Sequence, residues 1–143
     1  MVGIFILSPT FTPMKKKNNR PIEVDLINFG IYSEWDGENS NLPKFMELTD
    51  KVEAKIGVEF GMIVEIRKAR GRYLDFEIDH PPFTDESGEI APPFTGTFRV
   101  KHNPFKFFLG DTIWDPIEDK RGYWKLSIFL DGQVLVTKTI DLY

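Results

Sequence analysis

Between residues 52 and 67 every second side chain is apolar, and this alternation constrains the fold more than any other feature of the sequence. The apolar positions are Val52, Ala54, Ile56, Val58, Phe60, Met62, Val64 and Ile66. A helix would need apolar residues three and four apart, whereas alternation places them on one face of a β-strand. The segment is longer than a usual strand, so we expect Gly57 and Gly61 to bend it and let it serve two parts of a sandwich.

Further segments with strand character are separated by glycine, proline and polar turns. They are residues 22–32, 72–79, 94–102, 105–114, 122–130 and 133–142. In the first of them the apolar phase shifts by one residue between Leu26 and Ile27, which predicts a β-bulge. Residues 58–67 and 72–79 flank a turn at Gly71 and are expected to pair as a hairpin.

The last two strands meet at an Asp-Gly turn, and their apolar residues predict how they pair. A two-residue loop would place Leu130 opposite Gln133 and turn the two apolar faces in opposite directions. A three-residue loop instead places Ile128 opposite Val134 and keeps both apolar faces on one side. We therefore predict the three-residue loop, with a positive φ at Gly132 only.

The number and spacing of these segments predict the fold class. Short strands punctuated by glycine and proline, without alternating helices, are typical of a β-sandwich or a barrel. We predict an all-β, immunoglobulin-like antiparallel β-sandwich of about seven strands over residues 22–143, with a closed β-barrel as the alternative. Residues 1–21 are expected to form an N-terminal arm or linker, in which Val2–Leu7 is an extra edge strand or a tail.

Charge and cysteine content exclude several classes of function. The chain has no cysteine, so disulfides, thiolate metal sites and cysteine nucleophiles are excluded. Lys15, Lys16, Lys17 and Arg20 precede the first acidic residue. Without these four, 14 of the 18 basic groups remain against 22 acids, so the rest of the chain has a net charge of about −8. Such a body is a poor match for nucleic acid, which requires a concentrated basic surface.

The apolar run Val2–Leu7 does not have the features of an export signal. It is too short to cross a membrane, and its lysines follow it, whereas a signal peptide has positive charge before its apolar stretch. We therefore expect a cytoplasmic protein without a membrane partner.

The best candidate for chemistry is an acidic strand that ends in a histidine. Asp75, Glu77 and Asp79 share one face, and His80 follows them. Acids spaced by two could approach one hard cation, with His80 as a base or a further ligand. Outward strand positions are usually charged, however, and a histidine before two prolines is typical of a turn. We expect no catalytic residue, metal or cofactor, and these four residues remain the alternative, a small metal-assisted enzyme.

The polar connection 33–50 is the most favourable place for a partner to bind. At most one helical turn, at Phe45, Met46 and Leu48, is expected in it. Trp35 lies in the same connection among charged residues, where it either covers the end of the sandwich or is exposed as a contact residue. Large aromatic residues favour interfaces. The predicted interaction surface consists of Trp35, Asp36, Glu38 and Phe45.

These observations favour a non-enzymatic protein-interaction or binding module, since sandwiches present end loops or an edge strand to partners. Loops 81–93 and 115–121 are further candidate surfaces. The alternatives are the metal-assisted enzyme and, for a barrel, a carrier of an apolar ligand. The expected partner is a protein of unknown identity, and an exposed edge strand would also allow two copies to pair as a homodimer.

Four short blocks of the chain are similar to a known family. They are Phe29-Gly30-Ile31-Tyr32, Ile56-Gly57-Val58-Glu59-Phe60-Gly61, His80-Pro81-Pro82 and Gly122-Tyr123-Trp124. Through these blocks, residues 22 to 143 resemble a bacterial family known only as a domain of unknown function, number 3859 of that series. The resemblance implies a β-sandwich domain and supplies no activity, substrate or catalytic residue. Many members of that family look exported, which the N-terminus of this chain does not.

Overall fold

The computed structural model describes residues 21–33 and 42–143, which form two β-sheets that enclose a common core. The strands are β1 (Glu23–Tyr32), β2 (Phe45–Leu48), β3 (Lys51–Val52), β4 (Glu59–Arg67), β5 (Tyr73–Asp79), β6 (Phe94–Arg99), β7 (Phe105–Thr112), β8 (Gly122–Leu130) and β9 (Gln133–Leu142). A 3-10 turn at Glu118–Lys120 precedes β8. The four-stranded sheet has the order β2-β1-β4-β7, and the five-stranded sheet has the order β3-β9-β8-β5-β6.

This arrangement confirms the predicted all-β sandwich, with nine strands in the described residues rather than about seven. Neighbouring strands are antiparallel, except that β3 runs parallel to β9. The two sheets are separate hydrogen-bonded units, so the closed-barrel alternative is wrong, and with it the carrier that needed a barrel interior. Of the predicted arm at 1–21, residues 1–20 lie outside the described residues, so the arm stays a prediction.

The core lies between the sheets and is built from the inward faces of their central strands. Buried side chains of β4 and β8 meet there: Phe60, Met62, Val64 and Ile66 from one sheet, and Trp124, Leu126 and Ile128 from the other. Phe60 and Trp124 pack edge to face with ring centroids 5.2 Å apart. Each such side chain stabilises the fold by roughly 1.5–3 kcal/mol through burial.

The long alternating segment is two strands rather than one. Val52 belongs to β3 in the five-stranded sheet, and Glu59 begins β4 in the four-stranded sheet. Between them Gly57 has a φ of 91°, and its N–H donates to the Ile113 carbonyl at 2.8 Å. The bend predicted at Gly57 is therefore a change of sheet. Ile56, assigned to the buried face, is 66% exposed at this crossing.

The hairpin predicted for residues 58–67 and 72–79 does not form, because β4 and β5 lie in different sheets. Their connection crosses the sandwich: Ala69 is buried, and Gly71 donates its N–H to the Val100 carbonyl at 2.7 Å. Alternation identified both strands, but it does not encode which strands pair.

In β1 the predicted bulge is confirmed. Leu26 faces Val64 and Asn28 faces Ile63, which leaves Ile27 as the extra residue. Ile27 is exposed, while the apolar residues on both sides of it pack on the core. One extra residue therefore turns both apolar halves of the strand inward.

The register predicted for the β8–β9 hairpin is wrong. The loop has two residues, with a positive φ at Asp131 (50°) as well as at Gly132 (82°). Such a loop is what an Asp-Gly pair favours. The pairing shifts between Ile128 and Phe129, which makes Leu135 an extra residue in β9. This bulge, and not a three-residue loop, is what brings the apolar residues of the two strands to the same face.

The connection 33–50 contains an edge strand, β2, in place of the helical turn predicted at Phe45, Met46 and Leu48. The Ser33 N–H donates to the Lys44 carbonyl at 2.8 Å, which closes the base of the connection. Hydrogen bonding to β1 stabilises this segment as a strand, although the spacing of its apolar residues had indicated a helical turn. Residues 34–41 lie outside the described residues.

Candidate binding surfaces

The acids predicted as a metal site lie on the outer face of the five-stranded sheet. Asp75, Glu77 and Asp79 alternate along β5 with inward residues such as the buried Leu74. Asp75 accepts a hydrogen bond from Thr97 Oγ1 at 2.8 Å. Within residues 21–33 and 42–143, no three His, Asp or Glu side chains are grouped so that they could hold a metal ion. The described structure therefore does not assemble the predicted site.

His80 is separated from these acids because its ring lies in an aromatic cluster at one end of the sandwich. It stacks on Phe83 with centroids 4.4 Å apart and lies 4.7 Å from Phe94. Its Nδ1 is 2.8 Å from the Pro81 carbonyl oxygen, and its Nε2 is 2.8 Å from that of Pro92. Both ring nitrogens thus face backbone carbonyl oxygens at the two ends of the following loop, and they do not face the acids of β5.

Asp111 is a partly buried acid at the same end of the sandwich, on the inward side of β7 opposite Phe60. Burial raises the pKa of its carboxyl, while the Thr112 N–H, which donates to it at 2.8 Å, and the charge of His80 lower it in part. A perturbed acid near a histidine often marks an active site. Here the ring nitrogens of His80 are directed at carbonyls, so the two residues do not form a hydrogen-bonded acid–base pair.

Lys120 is a further ionisable group at this end, and its ammonium is enclosed. The side chain is 2% exposed. Its Nζ donates to the Pro116 carbonyl at 3.0 Å and to Asp119 Oδ1 at 2.7 Å. It also lies 4.7 Å from the centre of the Phe83 ring and 4.5 Å from that of Trp114. These contacts fasten the segment before β8 to the core.

The outer face of the four-stranded sheet has a second, smaller apolar cluster. Its members are Tyr32, Ile63, Phe108 and Leu42. The Phe108 ring packs directly on Gly61 and Gly110, where it leaves no room for a side chain. A Cβ at Gly110 would be only 2.6 Å from the Cζ atom of the ring. Gly61 therefore makes room for this ring, and β4 continues its pairing through Gly61 without the irregularity predicted there. Ile63, an apolar residue among the outward positions of β4, was the sequence signal for this cluster.

Two polar groups are buried beside the small cluster. The Tyr32 hydroxyl donates to Asn28 Oδ1 at 2.7 Å, and burial raises the pKa of this phenol. Glu59, only 4% exposed, accepts a hydrogen bond from Thr112 Oγ1 at 2.5 Å. Since buried polar groups need such partners, this part of the outer face is packed like an interior.

Phe45 is the one residue of the predicted interaction surface that the structure describes. Trp35, Asp36 and Glu38 lie outside the described residues. Phe45 is 37% exposed and packs edge to face on Tyr32, with centroids 5.6 Å apart. It begins β2, the outermost strand of the four-stranded sheet, so the predicted surface includes a sheet edge.

A cleft of about 450 Å³ lies beside β7, at the other edge of the same sheet. Its apolar lining consists of Leu42, Pro104, Phe105, Phe107 and Phe108. Its basic lining consists of Lys101, His102 and Lys106. The sequence predicted a strand over residues 105–114, but it held no signal that this strand lies at an edge.

Comparison with known proteins shows the family of this chain. The model of the family described as "Domain of unknown function (DUF3859)" matches residues 20–142. The chain belongs to this family. The match agrees with the resemblance inferred from the Gly, aromatic and Pro blocks, and its description assigns no activity to the DUF3859 domain.

The DUF3859 domain is also similar to the crystal structure of an immunoglobulin-like protein from Pseudomonas aeruginosa. The two are 19% identical, with a TM-score of 0.69, over 88% of this chain and 99% of that chain. At this identity the likeness establishes the immunoglobulin-like fold alone. No curated protein matches the chain. In the described ranges, no helix is long and apolar enough to span a membrane.

Proposed function

We propose that this DUF3859 domain is a non-enzymatic binding module that recognises a partner protein through β2 and the connection 33–50. The exposure of β2 is the observation that supports this most directly. Met46 is 63% exposed, Leu48 is 62% exposed and Phe45 is 37% exposed. Large apolar side chains grouped on a surface and rimmed by charged residues such as Lys44 and Glu47 are typical of an interaction site.

Strand β2 offers its side chains to a partner more than its backbone. It has four residues, and its pairing shifts between Ile31, which faces Glu47, and Tyr32, which faces Phe45. Short, irregular edge strands are poor templates for a further strand. A partner would instead bury the Met46 side chain and its neighbours in a pocket of its own, as it does with the anchor residues of other interfaces.

The arrangement of ionisable groups also supports a binding role. His80 and Lys120 are held by backbone carbonyls and aromatic rings, and the acids of β5 stand apart from both. Proton transfer or metal-assisted hydrolysis requires groups that converge on one reacting atom. These described groups do not converge.

A capture experiment with matched variants tests the proposal. Tagged wild-type protein is incubated with lysate of the source organism, alongside the variant M46S/L48S and the control I90S/V134S. Ile90 and Val134 are also exposed apolar residues, but they lie away from β2. We expect wild type and control to retain the same stoichiometric protein, identified by mass spectrometry, and the β2 variant to lose it.

Two results would contradict the proposal. One is a partner that all three proteins retain equally, which would move the interface away from β2. The other is the absence of any protein retained in stoichiometric amount. Circular dichroism of the three proteins shows whether the substitutions leave the fold unchanged.

A further inference from the structure

The cleft beside β7 runs along the backbone edge of that strand. Phe105, Lys106, Phe107 and Phe108 are consecutive, and all four line it. Successive side chains of a strand point to opposite faces of the sheet. A cleft that touches all four must therefore lie against the edge where the two faces meet. Among the described strands, β7 pairs with β4 alone, so this edge has no neighbouring strand there.

The two sides of this edge differ in chemistry. On the inward side, Phe107 stacks on Phe98 of β6 with ring centroids 3.7 Å apart and planes 5° from parallel. The ring centroid of Phe98 also lies 6.4 Å from that of Phe105, so these aromatic rings fill the space between the two sheets at this edge. On the outward side, Lys106 is exposed next to the buried Phe108. One side suits apolar side chains, and the other suits an anion.

The basic groups at this end are not neutralised by the residues that the structure describes. Lys101 and Lys106 form no ion pair with a described residue, and the same holds for the neighbouring Arg99. The nearby acids are engaged elsewhere. Glu65, which lies opposite Lys106 on β4, pairs with Arg67. Asp25 also pairs with Arg67, and Glu23 pairs with Arg67 and Lys68. A cationic patch thus remains on a protein whose formal net charge is −4.

We infer that the outer edge of β7 receives an extended segment of a partner protein in which apolar and acidic side chains alternate. The segment would add to the four-stranded sheet as a further strand, and its main-chain groups would bond to β7. Its apolar side chains would lie against Phe105 and Phe107, and its carboxylates would face Lys106 and Lys101. This is the known mode of strand addition, in which backbone bonds supply affinity and alternate pockets supply specificity.

Charge disfavours two other occupants, a second copy of the chain and its own first 21 residues. Pairing with a second copy through its own β7 edge is disfavoured, because lysine on an edge strand opposes strand pairing and the outward positions of β7 offer no acid that could neutralise Lys106. The first 21 residues hold four basic groups and no acid, so they would repel Lys101 and Lys106 in the same way. An acidic partner segment has the opposite charge. The inference does not depend on the role proposed for β2.

A peptide titration followed by NMR tests the inference. The probe is a soluble peptide of about twelve residues that alternates valine and glutamate, long enough to cover an average strand. Two control peptides replace glutamate by lysine or carry N-methyl groups on alternate backbone nitrogens. We expect the first peptide alone to bind, with amide shifts concentrated in residues 99–109.

Charge-reversal variants then locate the site. We expect K101E/K106E to weaken binding about tenfold, because two attractive contacts become repulsive. The control K51E/K125E makes the same change in net charge at exposed positions on other strands and should bind like wild type. The variant M46S/L48S should also bind normally, so a failure of this inference is distinguishable from a failure of the function proposed for β2.

Several results would overturn the inference. Equal binding of the lysine and glutamate peptides would remove the role of charge, and binding of the N-methylated peptide would remove strand addition. Shifts confined to β2 would place the site elsewhere. Concentration-dependent dimerisation of the protein alone, with amide shifts in residues 105–112, would show that a second copy occupies the edge.

Discussion

Replacing the enclosed Lys120 by methionine should destabilise the domain, although the substitution removes a buried charge. Methionine keeps the apolar stem and deletes the ammonium. The part-buried Pro116 oxygen, which accepts from Lys120 alone among the described donors, would lose its partner. An unsatisfied buried acceptor costs about 1–3 kcal/mol. Loss of the contacts with the Phe83 and Trp114 rings adds roughly 0.5–2 kcal/mol.

The opposing effect is relief from desolvation. Burying an ammonium costs several kcal/mol when it is poorly paired, and good geometry offsets much of this cost. Here a carbonyl, a carboxylate and two aromatic faces surround the charge, so we expect most of the cost to be compensated. The contact with Asp119 contributes little to the balance, because that carboxylate is partly exposed and rehydrates. The net loss should be about 1–3 kcal/mol.

Urea unfolding followed by tryptophan fluorescence measures this loss, since Trp114 and Trp124 lie next to each other beside the site. At this chain length each kcal/mol corresponds to roughly 3 °C in Tm. K125M, at an exposed position on β8, is the control and should change stability by less than about 0.5 kcal/mol. If K120M is as stable as wild type or more stable, desolvation outweighs the contacts, and the reasoning is refuted.

Three further predictions concern other buried or paired groups. Gly110→Ala should cost about 1–3 kcal/mol in chemical unfolding, because its Cβ would overlap a carbonyl of β4 and the ring above it; unchanged stability would contradict the packing described. Tyr32→Phe should cost about 0.5–1.5 kcal/mol and remove one late step from a spectrophotometric tyrosine titration. Because burial raises the pKa of Tyr32, wild-type stability should fall as pH rises above about 10, and the variant should show less of this fall. Hydrogen bonds from Lys68 and Arg67 hold the pKa of Glu23 below its usual value, so their stabilisation is present at neutral pH and is lost as pH falls through the carboxylate range. Arg67→Gln should flatten that acid limb of the stability profile, and an unchanged limb would show that the ion pairs contribute nothing.

The sequence predicted strands well where burial on one face imposes a period of two. The shift of phase at Ile27 was recognised as a bulge because each half of β1 has its own apolar face. Which strands pair was harder to predict, since β4 and β5 lie close in sequence but in different sheets. The β8–β9 register failed for a related reason: an Asp-Gly loop and a bulge at Leu135 satisfy the same apolar pattern as a longer loop.

The surroundings of the candidate groups were less predictable because they depend on contacts between distant residues. His80 was recognised as a turn residue, but its contact with the Pro92 carbonyl and its stacking on Phe94 arise only when a loop closes. The burial of Lys120 could not be predicted, because its sequence neighbours are polar and the rings that enclose its ammonium belong to Phe83 and Trp114. The small apolar cluster did leave a sign in the sequence, since Ile63 is an apolar residue at an outward position of β4.

The edge at β7 shows how a surface can be hidden in a strand that is itself easy to predict. The run from Phe105 to Leu109 has a single charged residue, Lys106, and its composition is typical of a central strand. The order of strands in the sheet makes it an edge, and that order is set by residues far apart in the chain. A lysine on an apolar edge opposes pairing with an identical edge, and by the same charge it favours an acidic strand. We therefore expect Lys106→Ala to change two equilibria in opposite directions. Self-association, measured by sedimentation, should increase, while affinity for the valine–glutamate peptide should fall; a variant that changes neither would show that this lysine does not control what the edge accepts.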